Sequence, residues 1–259
     1  MILLDIFFFF IGAAIGSFLN VCIRRIPAKE SLVFPASHCP KCHYSIRYYD
    51  NIPIISYLLL RGKCRNCGER ISLQYPIVEL LTAVITLLLY WKFGLSLKLL
   101  ASFVFSCVLI VITFIDLEHM IIPDILSLPG IPVFFLAGVF LMEVPWLEAV
   151  LGLLTGGGIL LLIAIGYEFI AKREGMGGGD IKLLAMLGAF FGWKSLIFLL
   201  LVSSLTGALV GIVVMLIKGR DLKYAIPFGP FLCLAALAYI FWGDEFTRLL
   251  FYVYGLPAG

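Results

Sequence analysis

Apolar positions in this chain do not alternate with polar ones; they run together. Eight unbroken apolar stretches cover roughly residues 3–23, 76–93, 98–115, 123–142, 147–170, 181–192, 195–217 and 225–243. Runs of this length with no polar face predict helices buried on all sides by lipid or by one another, not surface helices of a soluble domain. The sixth run is short, and the fifth contains Gly156-Gly157-Gly158, so these two are expected to be irregular. The one long polar stretch is 24–75. No internal repeat or low-complexity segment stands out, apart from the short aromatic run Phe7 to Phe10.

Composition agrees with this pattern. With 62% hydrophobic residues, 14% charged residues and a mean hydropathy of +1.09, a soluble globular protein is excluded. The first run has no basic residues ahead of it, and Arg24 and Arg25 follow it, so it reads as a membrane span and not a cleavable signal. If residues 24–75 lie in the cytoplasm and the runs alternate across the bilayer, that side collects Arg24, Arg25, Lys29, Lys41, Arg47, Arg61, Lys63, Arg65, Arg70, Lys172, Arg173, Lys182, Lys218, Arg220 and Lys223. The other side receives only Lys92, Lys98, Lys194 and Arg248, a bias that fixes orientation and places both termini outside. The net charge of +3 follows from this asymmetry and does not point to nucleic acid. The expected architecture is an all-α membrane protein of about eight transmembrane helices with a small cytoplasmic module between the first and second. It divides into a first helix at 1–23, the module at 24–75, and a membrane-embedded remainder at 76–259.

Within the module, Cys39-Pro40-Lys41-Cys42 and Cys64-Arg65-Asn66-Cys67 are two Cys-x-x-Cys pairs. Each pair can place two thiolates on one tetrahedral ion, so the set predicts a closed structural zinc site that organises the module without catalysing. Disulfide or redox use is the competing reading, and a cytoplasmic location disfavours it. His38 and His43 are expected to be hydrated. Cys22, Cys107 and Cys233 lie singly in apolar runs, as small packing residues.

Acidic groups at the ends of spans supply the other candidate chemistry. Asp116 closes the third run, Asp124 follows Pro123 at the start of the fourth, and Asp180 follows Gly177-Gly178-Gly179 at the start of the sixth. Two carboxylates held close share a proton, so one can activate water while the other polarises a carbonyl. Glycines such as Gly177 and Gly179 would let the backbone turn sharply and an extended peptide approach. Simple solvation at the interface competes for Asp116 and Asp180. Asp124 reads better as a charge at a helix N-terminus, and Glu118 and His119 as solvated loop residues.

Several stretches together resemble the type IV prepilin peptidases, bifunctional leader peptidases and N-methyltransferases among the membrane-embedded aspartic proteases. Gly177-Gly178-Gly179-Asp180 is similar to their Gly-x-Gly-Asp motif and continues as Asp180-Ile181-Lys182-Leu183-Leu184. Asp116 to Pro123-Asp124 resembles their other catalytic motif. Gly16-Ser17-Phe18-Leu19-Asn20-Val21 with Arg25 and Pro27, Tyr75-Pro76-Ile77-Val78-Glu79, and Pro227-Phe228-Gly229-Pro230 also fit. The resemblance implies a catalytic pair of Asp116 and Asp180, supported by Asp124, Gly177, Gly179 and Lys182. It implies prepilin or pseudopilin substrates cut after a glycine at the cytoplasmic face of the bacterial inner membrane. It also implies methylation of the new N-terminus from S-adenosylmethionine, with Glu79, Asn20 and Arg25 as candidate residues. No glycine-rich nucleotide loop of Rossmann type is present. Two alternatives stand beside this reading: a peptidase without methylation, and a cation or proton transporter using intramembrane carboxylates.

Overall fold

The computed structural model describes residues 2–171, 177–218 and 226–254. Lys172, Arg173, Arg220 and Lys223 of the charge pattern lie outside them. Among the described residues the chain is helical, with no strand and only two isolated β-bridges. Each of the eight apolar runs is a helix: α1 (Ile2–Ala28), α3 (Gln74–Phe93), α4 (Leu97–His119), α5 (Asp124–Phe140), α6 (Trp146–Ala171), α7 (Gly178–Phe191), α8 (Ser195–Lys218) and α9 (Gly229–Tyr254). The short α2 (Ile55–Leu59) belongs to the polar segment. Five helices, α1, α3, α4, α6 and α8, are long and apolar enough to cross a membrane, and α5 is a shorter apolar helix. The chain forms two compact units, Met1–Val111 and Ile112–Gly259.

In the first unit α1 packs along α3 through small residues. A Cβ on Gly12 would lie 2.7 Å from the Ala83 Cα, and one on Gly16 the same distance from the Glu79 Cα. Gly12 and Gly16 are four residues apart, so they share one face and let the two backbones approach closely, the usual way of joining helices in lipid. Near the opposite end of the pair, Phe8 stacks on Tyr90 and the Trp91 indole donates to Asp5 at 2.9 Å.

The polar segment contains a duplication that its sequence conceals. The Cys39 N–H donates to the Tyr44 carbonyl and the Cys64 N–H to Glu69; the Ile46 N–H donates to Ser37 and the Ile71 N–H to Gly62. His38 bridges Ser45, and Lys63 bridges Arg70. Every partner recurs after the same 25-residue offset that separates Cys39 from Cys64, so the segment is one tight knuckle built twice. Beyond the cysteines the two copies share few residues, because a knuckle demands only its thiols and one left-handed position, His43 in one copy (φ 54°) and Gly68 in the other (φ 72°).

In the second unit α7 is the central element. Leu183 to Phe190 are all buried, against α5, α6, α8 and α9. At 14 residues it is about 21 Å long, short of the ~30 Å hydrocarbon layer. The expected break at Gly156-Gly157-Gly158 does not occur, because α6 runs through it as continuous helix. Glycine serves close approach here. Gly152 and Gly188 meet backbone to backbone, and a Cβ on Gly156 would sit 2.6 Å from the Leu184 carbonyl oxygen. At one end of this packing Lys194 pairs with Glu148 at 2.7 Å. Helix α9 continues beyond the expected end near 243, where the Thr247 hydroxyl bonds back to the Gly243 carbonyl.

Candidate active site and metal cluster

The last turn of α4 and the first turns of α5, α7 and α9 meet at one end of the second unit. Asp116 is not in a loop; α4 continues to His119, which leaves Glu118 and His119 exposed on its final turn. The Asp116 side chain is only 5% exposed. Gly229, the first residue of α9, lies against it: a Cβ there would sit 2.5 Å from Asp116 Oδ2. Asp180 lies in the first turn of α7, half-buried, close enough to Asp116 for their charges to interact. Cys233, one turn into α9, is fully buried.

Ile122 holds the two sides of this site together. A Cβ on Gly179 would come 2.9 Å from the Ile122 Cβ, and one on Gly229 would come 3.1 Å from its Cδ1. Gly179 is therefore a close-packing residue. Gly177 is extended (φ −68°, ψ 136°), a conformation open to any residue, so no sharp turn requires glycine there. Among the described residues, nothing lies within 4 Å of a Cβ placed on Gly177 or Gly178. Asp124 occupies the first turn of α5, as expected of a charge at a helix start, and it has a partner: Lys182 of α7 at 2.6 Å. That ion pair is part-exposed, so its value is in fixing the starts of α5 and α7 and not in net stability.

In the first unit the four cysteines Cys39, Cys42, Cys64 and Cys67 converge, with all sulfurs within 4.8 Å of one another. Cys39 Sγ is 3.8 Å from Cys67 Sγ, and Cys42 Sγ is 3.9 Å from Cys64 Sγ. These separations exceed a disulfide, about 2.05 Å. They match the edge of a tetrahedron with metal–sulfur bonds of about 2.3 Å, about 3.8 Å. The backbone N–H of Tyr44, then the Asn66 group, stabilise the Cys42 thiolate and bring its pKa down from 9.0 to about 6. Backbone N–H groups of Cys67 and Asn66 likewise lower Cys64. The donor set thus fits a thiophilic cation. Around it, the Arg65 guanidinium grips Asp50 with bonds of 2.6–3.1 Å and holds that carboxyl below its usual range, and Lys41 pairs with Glu69 to clamp one knuckle to the other.

Asn20, Arg25 and Glu79 are all buried, and all three bond the backbone of the chain itself. Asn20 donates to the Tyr75 carbonyl at 3.0 Å, and Arg25 to the Ser31 and Pro35 carbonyls at 2.8 and 2.6 Å. Glu79 Oε2 accepts the Ile54 N–H at 2.7 Å, and the Ser17 side chain also bonds this carboxylate. Ile54 has a positive φ of 64°, unusual for a β-branched residue, and Glu79 fixes it there. Their polar atoms brace the 24–75 segment against α1 and α3.

Apolar helices long enough to cross a bilayer, with carboxylates at helix ends in the second unit, make this a multi-pass membrane protein. Residues 10–93 match the bacterial peptidase A24 N-terminal domain and residues 103–212 the type IV leader peptidase family. The chain belongs to the type IV leader peptidase family and is a multi-pass inner-membrane protein. It is 38% identical to a prepilin leader peptidase/N-methyltransferase of Aeromonas salmonicida, over 93% of this chain and 91% of that one. It is 36% identical to that of Pseudomonas aeruginosa (92% and 90%) and 35% to that of Pseudomonas putida (91% and 89%). No solved structure matches it. A cation-transporter reading is not favoured by this membership.

Proposed function

We propose that this chain removes the leader from prepilin or pseudopilin substrates after a glycine, using Asp116 and Asp180, and then methylates the new N-terminus. The observation that carries the proteolytic half is the convergence of the two helix ends that bear these carboxylates: Gly229 lies against Asp116 and Ile122, and Ile122 lies against Gly179, next to Asp180. A pair that shares one proton has both groups hydrolysis requires: the ionised member takes a proton from water, and the protonated member donates to the scissile carbonyl. Gly177 and Gly178 are where an extended substrate backbone fits beside Asp180. Asp124 and Lys182 support the pair by fixing the helix starts.

The four-cysteine cluster is proposed to hold one structural zinc, which leaves no open coordination position for chemistry. S-adenosylmethionine is the proposed methyl donor on the strength of the relatives' second activity. Asn20, Arg25 and Glu79 act in that step by bracing the segment, so no donor contact is assigned to them. Charge asymmetry supports a cytoplasmic position for the 24–75 module and the aspartates, and exterior termini. The proposed division is a first helix, a cysteine module concerned with methyl transfer, and a proteolytic remainder. Incubating purified protein with a prepilin, with and without S-adenosylmethionine, and weighing the products tests both activities. The expected products are a leaderless chain without the donor and a leaderless chain one methyl group heavier with it. Intact substrate in both reactions would sink the proposal.

A further inference from the structure

Around α2 the polar segment exposes a run of apolar side chains. Leu58 and Leu59 are 68% and 76% exposed, and Ile52 and Ile55 are exposed as well. Single exposed apolar residues are ordinary, but four in eight positions make a patch that something apolar covers. The position of α2 says what covers it. The residue ahead of α2, Ile54, donates its N–H to Glu79 Oε2 at 2.7 Å, and Glu79 stands in the second turn of α3, a helix that crosses the membrane. Helix α1 gives the depth. Gly16 is level with Glu79, since a Cβ on Gly16 would lie 2.7 Å from the Glu79 Cα, and Asn20 is level with Tyr75, whose carbonyl it bonds at 3.0 Å. Arg24, where the apolar run of α1 ends, is about 12 Å farther along that helix than Gly16, at ~1.5 Å per residue. Helix α2 has five residues and is about 7.5 Å long. Even running straight outward, it ends no farther out than about the level of Arg24.

We infer that α2 is seated in the bilayer, with Ile55, Leu58 and Leu59 against lipid acyl chains, so that the cysteine module lies down on the membrane surface and is not merely tethered to it. This rests on α1 and α3 being membrane spans and is independent of the aspartate pair. The positive φ of Ile54 gains a role in this arrangement: the strained turn, held by Glu79, brings the start of α2 back to the depth of the second turn of α3. The loop after α1 is held in the same way. Arg25 grips the Ser31 and Pro35 carbonyls, which keeps the exposed Val33 and Phe34 near the level where the apolar run of α1 ends. Charge favours the same surface. Residues 24–75 carry nine basic and three acidic side chains, and two of the acids, Asp50 and Glu69, are paired with Arg65 and Lys41. Arg61 and Lys63, exposed directly after α2, are placed for anionic headgroups.

The test is electron paramagnetic resonance on the purified full chain in vesicles of phosphatidylethanolamine and phosphatidylglycerol. A nitroxide is attached at Leu58 through a ketone-bearing non-natural residue, which leaves the cysteines untouched. The same label is placed at two marks on α1: Phe18, exposed two residues past Gly16, and Ala28, exposed at the helix end. The reading is the ratio of collisions with oxygen, which concentrates in lipid, to collisions with a water-soluble nickel chelate. At Leu58 this ratio should lie within about threefold of that at Phe18 and at least about fivefold above that at Ala28. A ratio matching Ala28 places α2 in water and overturns the inference. A label that neither probe reaches shows that protein covers the patch, and overturns it too. If the Leu58 variant is not recovered in the membrane, the label goes to Leu59, where the same outcomes decide.

Discussion

In the proposed mechanism Asp116 and Asp180 share one proton, so the loss of either removes the function of both. An asparagine at either position keeps the shape of the side chain but neither ionises nor passes a proton. Each single Asn variant should therefore lose cleavage by roughly 10²–10⁴-fold at unchanged membrane abundance, and the double variant should be no worse than the poorer single one. Asp124→Asn breaks a part-exposed ion pair outside the reacting pair and should keep most activity. Rates on a purified prepilin decide this, and either single variant cleaving at near wild-type speed would remove its residue from the mechanism. The residue types at this site were legible from sequence, since acidic groups at the edges of apolar runs are conspicuous. Their partners were not. The contacts of Asp116 with Gly229, of Lys182 with Asp124 and of Ile122 with Gly179 join residues far apart in the chain, and no local spacing encodes them.

At the scale of elements, the two knuckles and the α6–α7 seam make separate commitments. Purified protein should carry about one zinc per chain, and Cys64→Ser should lose it and open the 24–75 segment to protease while the apolar helices stay inserted. The sign with pH follows from Cys42, whose folded-state pKa of about 6 is depressed from 9.0. A depressed thiol contributes stability at high pH and loses it as pH falls through the folded value. Metal content measured against pH should accordingly fall on acidification, because protons and metal compete for the same thiolates. Retention of zinc by the Cys64→Ser variant would exclude the four-thiolate site. In the seam, Gly152→Leu has no room against Gly188 and should destabilise the second unit by about 3 kcal/mol, read from thermal unfolding in detergent. Helix positions were readable because apolar runs give them directly. The duplication was hidden because its copies share hydrogen bonds more than residues, and the glycine run misled because glycine in a helix marks close packing as readily as a break.

At the scale of the whole molecule, the chain divides where its two activities are expected to divide. The compact units part between Val111 and Ile112, and the two family matches, 10–93 and 103–212, fall to either side of nearly the same place. Both aspartates lie in the second unit, whereas the cysteine cluster and the braces Asn20, Arg25 and Glu79 lie in the first. Damage should then separate cleanly. Asp180→Asn has no reason to disturb the first unit, so it should fail to cut a prepilin yet still methylate a precleaved substrate supplied with S-adenosylmethionine. Glu79→Ala removes the acceptor that holds Ile54 in its positive-φ conformation, so the segment loosens. Its methylation of the same precleaved substrate should drop at least about tenfold, consistent with loss of a buried charged hydrogen bond of about 1.5–3 kcal/mol. Its cleavage rate should stay within about threefold of wild type, because the hydrogen bond it removes joins residues of the first unit only. Product masses from the two variants on intact and precleaved substrates give four outcomes. If Asp180→Asn also abolished methylation of the precleaved chain, or if Glu79→Ala lost cleavage and methylation in parallel, the two units would share one active centre and the division at residue 111 would have no functional meaning.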